Sequence, residues 1–284
     1  MKILLTESTK QFLKDFREFE AYTFDTFCDG EYYLKIDPKI KDQEVFVIAN
    51  TMAPAKNILE LTFLLDVLNR LNAKVNIFFV YFAYARQDRI MQDGEALSAE
   101  IISKIIRLFN FHKIYILHPH SDRLFNFLDF KPIIPFDFFS EIAKNYEIIA
   151  SPDVGGVSTA KRIAEISNRQ FVFFEKIRIN HDQIKVVTLQ NSEIDLRNKK
   201  VLIVDDMITT GSTVIKAAQV LAEKGAKSIG VAATHGVLCG DAKNNLQSSQ
   251  IEKIYITNSI EQKALPPKFE VYSIVPILRY LIKD

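Results

Sequence analysis

Lys199 to Thr213, KKVLIVDDMITTGST, constrains the fold of this chain more than any other stretch. Val201, Leu202, Ile203 and Val204 form a short apolar run rich in β-branched residues, the pattern of a buried parallel strand. Asp205 and Asp206 follow where that strand is expected to end. Thr209, Thr210, Gly211, Ser212 and Thr213 are small enough for a tight loop. Val214, Ala217, Ala218 and Leu221 then repeat at helical spacing, and Gly225 is placed to stop the helix. The order is strand, acidic tip, small-residue loop, helix N-terminus.

Each part of that order has a chemical use. A helix N-terminus offers unpaired N–H groups and partial positive charge, so it binds phosphate. Gly211 lets backbone approach an anion, and the hydroxyls of Thr209, Thr210, Ser212 and Thr213 can donate to its oxygens. Two carboxylates beside a phosphate would repel it, but they can hold sugar hydroxyls, a Mg²⁺ ion, or both. A phosphorylated sugar fits the layout, with Asp205 and Asp206 on its hydroxyls. An ordinary βα turn in which the aspartates cap a helix has the same spacing, and spacing alone leaves both readings open.

The stretch resembles the signature shared by type I phosphoribosyltransferases and ribose-phosphate pyrophosphokinases (PRPP synthetases), in which the Thr/Gly-rich loop holds a ribose 5-phosphate group. The rest of the chain has to separate the two.

At 284 residues the chain has room for about two domains of roughly 100–200 residues. It is 48% hydrophobic and 25% charged, with 36 basic and 35 acidic residues and a net charge of +1. That balance gives no sign of a nucleic-acid surface or a polybasic membrane patch. Cys28 and Cys239 are too few for a disulfide framework or a zinc pattern. MKILLTESTK lacks the apolar run of a signal peptide, and no run approaches the ~20 residues of a membrane span. The expected location is cytoplasmic, with no nucleic-acid or membrane partner.

Strands are expected at 2–5, 31–36, 44–49, 75–80, 114–117, 147–150, 171–174, 201–204, 228–232 and 253–256. Helices alternate with them: one capped by Ser8, one opened by Pro54, one capped by Ser98 with Ile101, Ile105 and Leu108 inward, then 136–146, one from Val157, and one from Val275. Such alternation argues for an α/β fold with parallel sheets covered on both faces. With the resemblance it implies two tandem type I phosphoribosyltransferase-like domains, each a mostly parallel sheet flanked by helices. The boundary is placed near Asn145, giving an N-terminal ATP-side domain over 1–145 and a ribose-5-phosphate-binding domain over 146–284.

Other motifs bear on the chemistry. Tyr81 to Arg89, YFAYARQDR, follows a strand and so lies at the sheet edge where open α/β folds bind ligands. Arg86 and Gln87 there suit a triphosphate and a base, although Arg–Asp pairs also suit a plain surface loop. The string resembles the ATP-contacting YFxYARQDR segment of PRPP synthetases, which simple phosphoribosyltransferases lack. Phe27-Cys28-Asp29-Gly30-Glu31 resembles that family's F-S-N-x-E adenine-reading segment, with Cys28 and Asp29 departing from Ser and Asn. By the same resemblance Phe27, Asp29 and Glu31 contact ATP. His118-Pro119-His120 resembles the family's D-x-H segment: His120 takes the place of the histidine that helps hold the Mg²⁺ of Mg-ATP, and His118 stands where an aspartate is expected. Ser151 to Val157, SPDVGGV, resembles a family segment in which Asp153 assists the metal and ribose. Lys176-Ile177-Arg178 resembles the K-x-R of a mobile flap, and alternate residues of an extended strand share a face.

The match runs in order from Phe27 to the C-terminal helix, and the chain length is nearer the compact archaeal-type members. It implies a transferase, ribose-phosphate diphosphokinase, acting in nucleotide biosynthesis. That enzyme moves the β,γ-diphosphoryl group of Mg-ATP onto the 1-hydroxyl of ribose 5-phosphate, giving PRPP and AMP. Lys176 and Arg178 are the expected catalytic cations, and Mg²⁺ is the cofactor, with His120 and Asp153 at the metal. A homo-oligomer, dimer or multiple of dimers, with a shared ATP site is implied. The alternatives are a catalytically silent regulatory relative, which His118 favours, and a PRPP-consuming phosphoribosyltransferase, which Phe27 to Glu31 and Arg86-Gln87 oppose.

Overall fold

The computed structural model describes residues 1–16, 18–178, 185–191 and 193–283, with backbone alone at 176–178 and 185–188. The chain divides into two compact units, Met1–Ile134 with Val275–Asp284, and Pro135–Ile274.

In the first unit the strands are β1 (Lys2–Leu5), β2 (Tyr22–Thr26), β3 (Tyr32–Ile36), β4 (Glu44–Asn50), β5 (Lys74–Tyr81), β6 (Lys113–Leu117) and β7 (Lys131–Ile133). Five of them form a parallel sheet in the order β1-β4-β5-β6-β7, while β2 and β3 pair antiparallel as a separate hairpin. Two helices belong to this unit's core, α1 (Lys56–Arg70) and α2 (Ser98–Ile106). Ile58, Leu61, Leu65 and Leu68 of α1 are buried against Val45, Val47 and Ala49 of β4 in one cluster, as their helical spacing predicts.

Three local expectations change. Glu7–Asp15 is a 3₁₀ helix with Thr6 at its N-cap, and Ser8 lies inside it. Pro54 sits in the turn before α1, which starts at Lys56. In α2 the buried positions are Ala99, Ile102, Ser103 and Ile106, whereas Ile101 is 49% and Leu108 75% exposed. The reason is Ser103: its hydroxyl donates to the Ala99 carbonyl at 2.7 Å, so a polar residue occupies the inner face and shifts the apparent apolar stripe by one residue.

The second unit opens with α3 (Phe136–Ala143), followed by β8 (Ile148–Ser151), α4 (Val157–Ser167), β9 (Gln170–Arg178), β10 (Lys185–Gln190), β11 (Lys200–Ile208), α5 (Ser212–Glu223), β12 (Ser228–Gly236), α6 (Ala242–Ser248), β13 (Lys253–Thr257) and β14 (Phe269–Tyr272). Its seven-stranded sheet has the order β10-β9-β8-β11-β12-β13-β14, parallel except for the β9–β10 pair. Side chains of a strand alternate between faces, and β11 shows why its run is continuously apolar. Val201 and Ile203 join one cluster with Val214, Ala217, Ala218 and Leu221 of α5; Leu202 and Val204 join another with α3 and α4. Both faces are covered, so both sets are apolar.

The division at 145/146 read from sequence differs from the division at 134/135. Phe139, Ile142 and Ala143 of α3 pack with Ala160, Ile163 and Ala164 of α4, which ties α3 to the second unit. The last helix, α7 (Val275–Lys283), groups with the first unit, where the Arg279 guanidinium donates to the Asp15 carbonyl at 3.1 Å.

Candidate active site

In the second unit, β11 carries the acidic pair and delivers the chain into the small-residue loop. The strand does not end at Asp205. It pairs with β12 through Asp205↔Ala233, Met207↔His235 and Ile208↔Gly236, so Asp205 and Asp206 lie inside the strand, three residues or fewer from its end. Leu238 and Cys239 extend the link, their N–H groups donating to the carbonyls of Ile208 and Thr209 at 3.0 Å each. The loop then turns at Gly211, which has φ 80 and stands at the N-cap of α5. A Cβ there would lie 3.0 Å from Leu246 Cγ and 3.1 Å from its Cδ2, so handedness and space both demand glycine. The Thr210 and Ser212 hydroxyls are 3.1 Å apart. Gly211 itself offers no side-chain cap to α5, Thr210 Oγ1 accepts from Ser212 N–H at 3.4 Å, and Thr209, Thr210, Ser212 and Thr213 are exposed or half-buried. The result is a helix N-terminus with hydroxyls around it, open to an anion.

The loop after β8 approaches the same strand end. Its Ser151 hydroxyl donates to the Asp153 carbonyl at 2.7 Å, and Gly155 N–H donates to Asp153 Oδ1 at 3.0 Å. A Cβ on Gly156 would lie 2.9 Å from Ser151 Oγ and 4.0 Å from Asp205 Oδ1. This close passage brings Asp153 into the electrostatic neighbourhood of Asp205. The Asp205 carboxyl is pushed well above the ordinary carboxylate range, first by burial and then by the charges of Asp206 and Asp153. Asp206 N–H donates to Asp205 Oδ1 at 3.0 Å and offsets only part of this. Asp206 and Asp153 thus both raise the cost of ionising Asp205. The described residues include no group of three His, Cys, Asp or Glu arranged as a metal cage. The convergent charge nevertheless fits Mg²⁺, which keeps several waters and takes most of its remaining ligands from substrate oxygens.

A stability prediction follows from the sign of this shift. A raised folded-state value means that ionising Asp205 opposes folding above the ordinary value of 3.8. Asp205→Asn keeps the acceptor for Asp206 N–H and removes that charge. The ligand-free variant is expected to melt about 2–4 °C above wild type near neutral pH, an effect of ~1 kcal/mol in a domain of this size. The gain should shrink as the pH falls toward 3.8 and vanish below it, where both states of the wild type are protonated, and added Mg²⁺ should narrow it by stabilising the wild type more. Thermal melts across pH with and without Mg²⁺ check this; a variant less stable than wild type at neutral pH refutes it.

Lys176 and Arg178 fall on β9, paired with Val187 and Lys185 of β10. Their side chains lie outside the described residues. The backbone is informative by itself: β8 pairs with β9 only from Ile148↔Gln170 to Ser151↔Phe173, so residues 174–178 run past the end of β8, at the edge from which the Asp153 loop departs.

In the first unit the nucleotide-side candidates also sit at strand ends and turns. Thr51 anchors the segment after β5, its Oγ1 accepting from Ala83 N–H at 2.8 Å. Arg86 and Gln87 are exposed, and Gln87 is tied to the start of α2 through its Oε1, which accepts from Ser98 Oγ at 2.5 Å, and its carbonyl, which accepts from Ala99 N–H at 3.1 Å. His120 is exposed beyond β6. His118 is 4% exposed with φ 37, and its N–H donates to the Ile133 carbonyl at 2.9 Å. Phe27 to Glu31 forms the tip of the β2–β3 hairpin. Phe27 N–H donates to the Glu31 carbonyl at 2.7 Å, Gly30 takes φ 94, and Glu31 N–H donates to Asp29 Oδ1 at 3.0 Å. Phe27 is 54% exposed with its ring 5.6 Å from that of Tyr33. Sequence reasoning named Gly156 beside Asp153 but missed Thr51 and Leu246, which shape these sites. A polar residue directly after the apolar run of β4 was the available signal for Thr51.

Residues 136–265 match the phosphoribosyl transferase domain family, and residues 15–109 match the N-terminal domain of ribose phosphate pyrophosphokinase. The ribose-phosphate pyrophosphokinase of Helicobacter hepaticus is 31% identical over 269 residues, covering 92% of this chain and 86% of the relative. That of Campylobacter jejuni is 32% identical over 267 residues, covering 90% and 85%. The crystal structure of phosphoribosylpyrophosphate synthetase from Mycobacterium smegmatis is similar at a TM-score of 0.87 and 25% identity, covering 100% of this chain and 98% of that one.

Proposed function

Since the chain belongs to the ribose-phosphate pyrophosphokinase family, we propose that it transfers the β,γ-diphosphoryl group of Mg-ATP to the 1-hydroxyl of ribose 5-phosphate, giving PRPP and AMP for nucleotide biosynthesis. One observation carries the assignment of the sugar site: three converging carboxylates stand beside a helix N-terminus whose entry requires glycine. Phosphate belongs at the helix end, and sugar hydroxyls and cation belong at the acids.

Thr209, Thr210, Gly211, Ser212 and Thr213 bind the 5-phosphate. Asp205 and Asp206 orient the ribose hydroxyls. Arg86, Gln87 and His120 place the triphosphate, and Phe27, Asp29 and Glu31 contact the adenine. Protein catalysis of such a transfer is largely positioning and charge stabilisation. Lys176 and Arg178 meet the charge that builds on the diphosphoryl group in flight. Asp153 and His120 are the residues that would hold Mg²⁺, which would offset phosphate charge there. A cytoplasmic homo-oligomer with a shared ATP site completes the reading. It agrees with the described residues, in which no helix is long and apolar enough to cross a membrane.

The test is product identity. Incubated with ATP, Mg²⁺ and ribose 5-phosphate, the protein should release AMP and PRPP in equal amounts. Stoichiometric ADP without PRPP would mark an ordinary sugar kinase and overturn the proposal.

A further inference from the structure

Glu60 lies on α1, away from every residue assigned above, and it is 0% exposed. A carboxylate buried to that degree is costly unless its oxygens are bonded. Its Oε1 accepts two hydrogen bonds, from Tyr22 Oη at 2.5 Å and from Glu7 N–H at 2.8 Å. Its Oε2 has no hydrogen-bond partner. Burial pushes the Glu60 carboxyl up from its ordinary value, and burial with the Glu60 charge pushes the Tyr22 hydroxyl up, so the tyrosine stays protonated as donor. On an α1 face whose other buried residues are Asn57, Ile58, Leu61, Leu64, Leu65 and Leu68, an apolar residue would avoid this cost.

The groups that Glu60 joins explain its presence. Tyr22 begins β2, and β2 with β3 forms a sheet of its own, hydrogen-bonded as a ladder to neither large sheet. Burial falls along the hairpin from Ile36 at its base, 5% exposed in the core, to Phe27 at its tip, 54% exposed. Apolar packing of Tyr22, Leu34 and Ile36 holds the base, but such packing is non-directional. Among the described residues the Tyr22–Glu60 bond is the one side-chain hydrogen bond from the hairpin to α1. It is directional and charge-assisted, and sits at the pivot of an arm five residues long on each side.

We propose that Glu60 is a positioning residue for ATP: through Tyr22 it fixes the angle of the β2–β3 hairpin and so the place of the Phe27–Glu31 tip. This rests on reading that tip as the adenine contact. Glu60 itself touches no substrate.

Tyr22→Phe removes one hydroxyl and keeps the ring in the core. The variant should raise KM for ATP about 10-fold or more, the size expected for a lost charge-assisted hydrogen bond. Its kcat and KM for ribose 5-phosphate should stay within about twofold of wild type, since the sugar site belongs to the other unit. Deuterium exchange of the β2–β3 ladder amides should quicken about tenfold or more. Glu60→Gln keeps an acceptor oxygen and should hold KM for ATP closer to wild type than Tyr22→Phe does. A Tyr22→Phe protein with a lower melting temperature but unchanged KM for ATP and unchanged hairpin exchange would make the pair purely structural and overturn the proposal. If the wild type formed no PRPP, the functional reading would fall; the hairpin exchange would then decide the anchoring claim alone, and unchanged exchange would overturn it.

Discussion

Lys176→Ala and Arg178→Ala are each expected to lower kcat by about 10²- to 10³-fold, the scale of removing one preorganised charge partner from a transition state, while KM for ATP moves far less. The strand geometry motivates the claim. β9 outlasts its parallel neighbour β8 by residues 174–178, and only antiparallel β10 accompanies it there. Lys176 and Arg178 occupy alternate positions of that overhang, at the strand-end edge where the Asp153 loop and the end of β11 also lie. On the proposed reading, Arg86 and Mg²⁺ would already meet the phosphate charge of ground-state ATP. Additional negative charge develops only as the diphosphoryl group leaves, so the overhang cations act late and their loss should fall on kcat. Steady-state kinetics with ATP varied at saturating ribose 5-phosphate decides the matter. A variant that raises KM for ATP and keeps kcat would place these cations in ground-state binding instead.

What the sequence disclosed, and what it hid, follows from how local each signal is. The β11 run was legible because both of its faces are covered: Val201 and Ile203 meet α5 while Leu202 and Val204 meet α3 and α4, leaving no polar position to blur the pattern. The loop at 209–213 was legible because a positive φ with Leu246 beneath it admits only glycine. The end of β11 was misplaced because strand pairing with β12, a long-range fact, carries the ladder through two aspartates that local propensity disfavours. Strands β2, β7, β10 and β14 were not anticipated. β2 alternates half-buried with exposed residues, and β7 is a three-residue edge strand containing Pro132. The inner face of α2 was misread for a similarly local reason, since a serine satisfied by its own helix looks polar in sequence and behaves as core.

The candidate site shows the same division. The acids, the small-residue loop and the YFAYARQDR string are contiguous, and each carries its chemistry in a few adjacent residues. The approach of Gly156 to Asp205 joins positions far apart in the chain and required the fold. So did the Tyr22–Glu60 pair, 38 positions apart, and the grouping of α7 with the first unit.

Subunit complementation has an effect as large as loss of the cations, and in the opposite direction. Glu31→Ala and Lys176→Ala proteins should each be nearly inactive alone, and mixing them should restore about a quarter of wild-type sites. The hairpin motivates this: its base is buried at Ile36 and its tip ends in an exposed Phe27. A ring left 54% exposed at the end of such an arm is suited to complete another subunit's ATP site. In a two-fold assembly each patch serves the partner. Random pairing of equal amounts gives about half mixed dimers, and each mixed dimer has one site with both faults and one with neither. That yields roughly one intact site in four. The measurement is PRPP formation after co-expression or co-refolding, with mixed oligomers verified by native mass spectrometry. Confirmed mixed oligomers with no recovered activity would show that Glu31 and Lys176 serve the same subunit's site. The tip would then fold back on its own chain, and the shared-site reading would be lost while the pyrophosphokinase chemistry stood.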